Sequence, residues 1–172
     1  MAPLKVSIAH VRREQPGPGQ ESVWAYPRPP RIEPTSEHVR VLFGGQVVAD
    51  TTEALRVLET SHPPGYYLPR AAFADGALSL ASGSTWCEFK GTARYLDVIA
   101  GDRRAERSAW TYPDPSPGFE ALRGRVALYP GLMDLVTVDD EVVRAQEGDF
   151  YGGWITERIV GPFKGAAGTR TW

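Results

Sequence analysis

The sequence predicts an all-β domain, and three observations carry that expectation. Apolar residues recur with period two in short runs, turn dipeptides separate the runs, and 18 Gly and 15 Pro punctuate the 172 residues from end to end. With 42% hydrophobic residues, a chain of this length suits one domain with a sizeable core plus peripheral arms.

Residues 12–36, RREQPGPGQESVWAYPRPPRIEPTS, are dense in proline, which fixes φ and removes backbone donors. An extended arm over residues 1–37, without a regular ladder or helix, is expected. From His38 the pattern changes. Val39, Val41 and Phe43 alternate with Arg40 and Leu42, and Gly44-Gly45 then separates them from residues 46–49 as a hairpin signal. In residues 49–70, Asp50 with Glu53 resembles a capping box opening a short helix. Leu55, Val57 and Glu59 against Ala54, Arg56 and Leu58 also fit a strand, which is the expectation adopted. Pro63-Pro64-Gly65 is then a turn, and residues 66–68 start the next extended piece.

Residues 87–99 and 105–112 flank Gly101-Asp102 as a long hairpin. Residues 119–123 make a short amphipathic turn, so one or two short helices at most accompany the strands. Residues 126–129 and 132–138 are strands joined through Pro130-Gly131, and Asp139-Asp140-Glu141 is an exposed acidic turn. Residues 148–172 form a tail rich in Gly and aromatics, leaving residues 38–147 as the β domain. The tripeptide FKG occurs at Phe89 and again at Phe163; with no other shared residues nearby, the echo does not make a repeat.

Charge and composition exclude several function classes. The net charge is -2 at pH 7, and sixteen arginines and three lysines are scattered with no run longer than a pair, so nothing offers a footprint for a phosphate backbone. Nucleic acid is not an expected partner. No apolar run approaches the ~18 residues of a membrane span, and MAPLKVSIAHVRRE lacks a signal-peptide core, so a cytoplasmic protein without membrane association is expected. The single cysteine, Cys87, excludes an internal disulfide. With three dispersed histidines it cannot close a tetrahedral zinc site, so neither a metal nor another cofactor is expected.

Three stretches carry a family resemblance: FGGQVVADTTEALRVLETSHPPGYYLPR, STWCEFKGTARYLDV and AERSAWTYPDPSPGFEALRGRVALYPG, in that order and spacing. Over about residues 38–145 they resemble the domain-of-unknown-function family DUF427, and YGGWITERIVGPFKG resembles an extension common in its bacterial members. The resemblance implies a β-tent, two antiparallel sheets pinched together at one edge, and no established activity. The family also carries a nucleotidyltransferase label. Nucleotidyl transfer needs paired carboxylates for two metal ions and a Gly-rich phosphate turn, whereas this chain has no Asp-x-Asp and no Gly-x-x-x-x-Gly-Lys loop.

The densest motif, residues 85–95, places Cys87 and Lys90 close together. On a continuous strand Cys87 and Phe89 face one side and Trp86, Glu88 and Lys90 the other, unless Gly91 marks a bulge. Cys87 is expected to pack as a small hydrophobe; its alternative is a nucleophile activated by His62. Lys90 is either a solvated side chain whose stem lies over Trp86 or a ligand contact, with Glu59 as its natural partner. Trp110 and Tyr112, two apart, share a strand face and form an aromatic wall, with Tyr67 entering after the Pro-Pro-Gly turn.

Glu59, Tyr67, Lys90, Trp110 and Tyr112 are therefore expected to converge on one cleft between the two sheets, taking a small planar or anionic ligand. Two further function classes remain open: an enzyme using Glu59, His62 or Cys87, and a partner-binding module, including a homodimer, formed through the arm or tail.

Overall fold

The computed structural model describes residues 10–148 and 150–172. In chain order its strands are β1 (Glu21–Ser22), β2 (Arg31–Pro34), β3 (Val39–Phe43), β4 (Gln46–Thr51), β5 (Leu55–Leu58), β6 (Gly65–Pro69), β7 (Leu78–Cys87), β8 (Gly91–Ala100), β9 (Arg103–Thr111), β10 (Arg125–Leu128), β11 (Leu135–Val138), β12 (Glu141–Val142), β13 (Arg144–Ala145), β14 (Trp154–Ile155) and β15 (Ile159–Val160). Four 3-10 turns of three residues each accompany them, and among the described residues there is no α-helix. None of these helical turns is long and apolar enough to cross a membrane. The all-β expectation holds.

Two antiparallel sheets dominate: a seven-stranded one in the order β2-β5-β6-β10-β9-β8-β7, and a four-stranded one in the order β12-β11-β3-β4. Between them lies the main core, with Val39, Val41 and Val136 from the smaller sheet against Leu68, Leu96 and Leu128 from the larger. At one edge the layers are tied together, because Ala49 of β4 bridges Phe73 and the Ala74 N–H donates to Val48 O at 2.9 Å. The β3–β4 turn follows from Gly44-Gly45, whose φ values of +59° and +74° suit a primed hairpin turn. Asp139 and Asp140 adopt φ of +48° and +67° in the acidic turn, a conformation short polar side chains tolerate.

Three expectations need correction. The proline-rich arm does enter a ladder: β2 pairs with β5 in register Arg31↔Leu58 to Pro34↔Leu55, and Pro34 is tolerated because β2 is an edge strand. The strand Leu78–Cys87 carries no expectation in the sequence, since LSLASGSTWC is rich in Ser, is interrupted by Gly83 and has one β-branched residue. Cys87 therefore ends β7 instead of opening β8. The strand expected from Leu132 begins only at Leu135, because Pro130–Leu132 form a 3-10 turn.

Where the seven-stranded sheet outruns the smaller one, arm and tail cover it. Val23, Trp24 and Tyr26 from the arm pack with Ile155 and Ile159 from the tail against Leu58. Beside Leu58 on the same face of β5 sits Arg56, 0% exposed. Its guanidinium meets Glu21 at 2.8 Å, Glu33 at 3.1 Å and the Tyr26 hydroxyl at 3.2 Å. Arg158 of the tail joins the same cluster through Glu21 at 2.8 Å and Glu37 at 3.0 Å, and the Tyr66 hydroxyl donates to Glu37 at 3.0 Å. Burial opposes the Arg56 charge, but Tyr66, Tyr26 and Glu21 outweigh it and hold the group above the usual arginine value.

Breaking a buried charge cluster by deleting one member costs about 3–5 kcal/mol, so Arg56→Ala is expected to lose that much in urea unfolding. Hydrogen exchange should rise first in β1, β2 and β15, which Arg56 ties down. An unchanged urea midpoint would remove the cluster from this role.

Candidate functional site

Opposite the core, on the other face of the seven-stranded sheet, lies a cavity of about 440 Å³. Its location follows from strand parity: Tyr66 and Leu68 point into the inter-sheet core, so Tyr67 between them points away. Glu59, Tyr67, Lys90, Trp110 and Tyr112 all line this one cavity. The expected position between the two sheets is thus incorrect, because that space is filled by core side chains, while the convergence of the five residues is realised.

Lys90 does not lie on a strand. Cys87 pairs with Gly91 and residues 88–90 form the turn between β7 and β8, so the expected alternation of side chains fails at Glu88. Gly91 has φ of +103°, and a Cβ there would stand 3.2 Å from Ser116 Oγ and 3.3 Å from Asp114 O. The Ser116 N–H donates to Lys90 O at 3.0 Å, so the PDPSP segment holds the turn from outside. Lys90 Nζ stands 5.6 Å from the centre of the Tyr112 ring, and no carboxylate lies within ion-pair distance of it among the described residues. Trp86 is 73% exposed at the rim. Burial lowers the affinity of Lys90 for its proton, but Tyr67, Cys87 and Glu59 more than offset this and keep its pKa above the ordinary lysine value.

Glu59 has a different partner from the one expected. Arg28 of the arm reaches its carboxylate at 3.2 Å and also donates to Thr60 O at 2.9 Å. His62 Nε2 lies 3.4 Å from the same carboxylate, and His62 Nδ1 lies 3.3 Å from Gln146 Nε2. If the Gln146 amide donates to Nδ1, the ring proton sits on Nε2 and faces Glu59. Despite that carboxylate, burial first and then the charges of Lys164, Arg28 and Lys90 lower the His62 pKa to about 3. The imidazole is neutral at physiological pH. Cys87 is half-buried and borders the cavity while packing against the cluster of Leu55, Tyr112 and Phe119.

Aromatic rings make up the remaining wall. The Trp110 Nε1–H donates to the Tyr67 hydroxyl at 3.3 Å, and the Trp110 and Tyr129 rings lie 4.7 Å apart. Burial first, then Tyr67 and Cys87, raise the Tyr112 pKa well above the ordinary tyrosine value, so its hydroxyl stays protonated.

The tail closes the cavity. Gly152 lies so close to Trp110 that a Cβ there would collide with the indole Cη2, and a Cβ on Gly153 would stand 2.6 Å from Gln146 Oε1. Gln146 holds this segment by accepting from the Gly153 N–H at 3.0 Å and donating to Lys164 O at 2.7 Å.

Sequence reasoning missed Arg28 from the arm, Tyr95 from β8, Tyr129 just after β10, Gln146 just after β13, and Tyr151 and Lys164 from the tail. One signal was available. Of three lysines in the chain, Lys90 and Lys164 both border this cavity, each from an FKG tripeptide, so the echo marks two arrivals at one place without being a repeat.

Fold and cavity together define an all-β domain with an aromatic, cation-bearing pocket on the outer face of its larger sheet. The chain belongs to the family described as a domain of unknown function, DUF427, whose model matches residues 31–139. No curated protein matches the chain. The described residues contain no group of three or more His, Cys, Asp or Glu side chains able to hold a metal ion, and Asp139-Asp140 lies in a hairpin turn that does not border the cavity.

The depressed His62 pKa has a consequence for stability. Below pH 6.5 the unfolded chain takes up a proton at this ring that the folded chain refuses until about pH 3, so stability falls with pH across that window. The expected slope from this group is about 1.4 kcal/mol per pH unit. Urea unfolding of the wild type and His62→Gln between pH 7 and 4.5 should diverge by that slope, and parallel curves would show the ring to be protonated in the folded state.

Proposed function

We propose that this protein binds a small planar ligand carrying an anionic group, with the ring against the Tyr67, Trp110 and Tyr112 wall and the anion at Lys90. The observation that carries this reading is the Lys90 ammonium, kept charged inside an aromatic cavity with no carboxylate in ion-pair contact among the described residues. Lys90 is half-buried, and a charge partly withdrawn from water gains from a partner, which an anionic ligand would supply. A raised pKa also speaks against Lys90 as an amine nucleophile, since the free-base form is scarce at neutral pH. Among the described residues of the cavity lining, three cations, Arg28, Lys90 and Lys164, face two carboxylates, Glu59 and Glu88, so their field favours a negative guest. The volume of about 440 Å³ falls within the range of small-molecule sites.

The enzymatic alternative draws less support. Glu59, His62 and Cys87 border the same cavity, but no hydrogen bond joins Cys87 to His62 among the described residues. A His62 ring held neutral to about pH 3 is no general acid at physiological pH. For the partner-binding alternative, the apolar residues of arm and tail pack against each other and Leu58 within the chain.

Calorimetry with naphthalene-2-carboxylate and the uncharged naphthalene-2-carboxamide tests the reading. The acid should bind at least about tenfold more tightly than the amide, as a charge-assisted contact implies. Lys90→Ala should erase that preference without changing near-UV circular dichroism. Equal binding of acid and amide to the wild type would refute an anion anchor, and binding of neither would refute the ligand class.

A further inference from the structure

A second cavity of about 460 Å³ adjoins the first, and Tyr95, Tyr129, Gln146, Tyr151 and Gly152 border both. Among the described residues its one charged lining residue is Arg107. Arg107 adopts φ of +50°, a left-handed conformation uncommon for a residue with a long side chain. Two irregularities in the sheet impose it. The β8–β9 register shifts between Leu96 and Val98, and there the Asp97 carboxylate accepts from the Arg107 N–H at 2.8 Å while Arg104 holds its other oxygen at 2.6 Å. The β7–β8 register shifts between Leu80 and Ser84, which brings Gly83 so near that a Cβ there would stand 3.0 Å from Arg107 Nη2.

The guanidinium carbon lies 4.4 Å from the centre of the Tyr95 ring. Face contacts with a ring and a glycine leave the in-plane N–H groups of a guanidinium free, the fork that takes a carboxylate or phosphate by two parallel bonds. Arg107 is exposed and has no carboxylate within ion-pair distance among the described residues, so its fork is open to solvent or to a guest. Non-glycine strain of this kind persists where the surrounding structure over-determines it, commonly at binding sites.

We infer that the second cavity is an oxyanion subsite built around Arg107, so that the ligand is an elongated planar diacid with one acidic end at Lys90 and the other at Arg107. This inference rests on the anion-binding reading of the first cavity. Asp97 is its positioning residue, acting through the Arg107 backbone.

Aromatic diacids of increasing length, terephthalate, naphthalene-2,6-dicarboxylate and biphenyl-4,4'-dicarboxylate, can be compared by calorimetry with their monoacids. At least one diacid should bind about tenfold or more tightly than its monoacid, by the size of a bidentate charged contact. Arg107→Ala and Arg107→Lys should each remove that advantage and leave monoacid affinity unchanged. Arg107→Gly, which relieves the left-handed strain, should remove it too without lowering the thermal midpoint.

Monoacid binding with no diacid advantage at any length overturns the inference while sparing the first-cavity reading, and absence of binding by every probe overturns both. Two other results overturn the inference: an advantage that survives Arg107→Ala, and a midpoint in Arg107→Gly lowered as by a core substitution, which makes Arg107 structural.

Discussion

The fold depends on the solvation of one guanidinium. Arg56 is fully buried at the end of the seven-stranded sheet, where the four-stranded sheet no longer covers it, and a charge there must be supplied with acceptors or it will exclude the strand from the interior. The acceptors come from the arm, and a second arginine from the tail closes the cluster from the other side. A buried ion cluster of this kind adds little net stability over an apolar substitute, but it is demanding about geometry. Its effect here is to fix where the arm and tail lie. Those two segments then deliver Arg28, Gly152 and Lys164 to the cavity, so the site on one face of the sheet is organised by charges held on the other.

Strand parity divides the labour of the larger sheet. On β6, β8 and β10 alternate side chains face the smaller sheet and make the core; those between them face outward and build the aromatic wall. A single element thereby couples core packing to cavity shape. Tyr66 stacks on Trp154 in the core at 4.6 Å, and its chain neighbour Tyr67 accepts from Trp110 in the cavity. A change in the register of β6 would exchange these two rings and destroy both at once.

Much of this was legible in the sequence. Period two and the turn dipeptides give the β3–β4 hairpin, β5, β6 and β10, and the spacing of Trp110 and Tyr112 places both rings at one cavity. Three things were not legible, for physical reasons. β7 is written in Ser and Gly, whose strand preference is weak, and it exists because β8 offers it a ladder. Arg56 reads as the polar member of an alternating strand, and only the arm and tail, distant in sequence, turn that position inward. Proline density in the arm hides β2, since an edge strand tolerates a proline that an inner strand does not. The partner of Glu59 was misjudged for a related reason: Arg28 lies in that same arm, which the sequence presents as detached.

Residues that break local rules collect at the two cavities. Lys90 is a lysine kept charged without a carboxylate contact among the described residues, Arg107 is left-handed without being glycine, and Gly152 and Gly153 pack where no Cβ fits. Elsewhere such departures are few: the left-handed turns carry Gly or Asp except at Ser61, with φ of +71°, and the buried arginine has its carboxylates. Sequences that fold reliably are consistent across levels, and departures from that consistency are expected where something other than folding selects the residue. The departures here have a common sign. Lys90, half-buried, and Arg107, exposed, are both cations set against a tyrosine ring, and neither has a carboxylate in ion-pair contact among the described residues, so both can offer their donors to an anion.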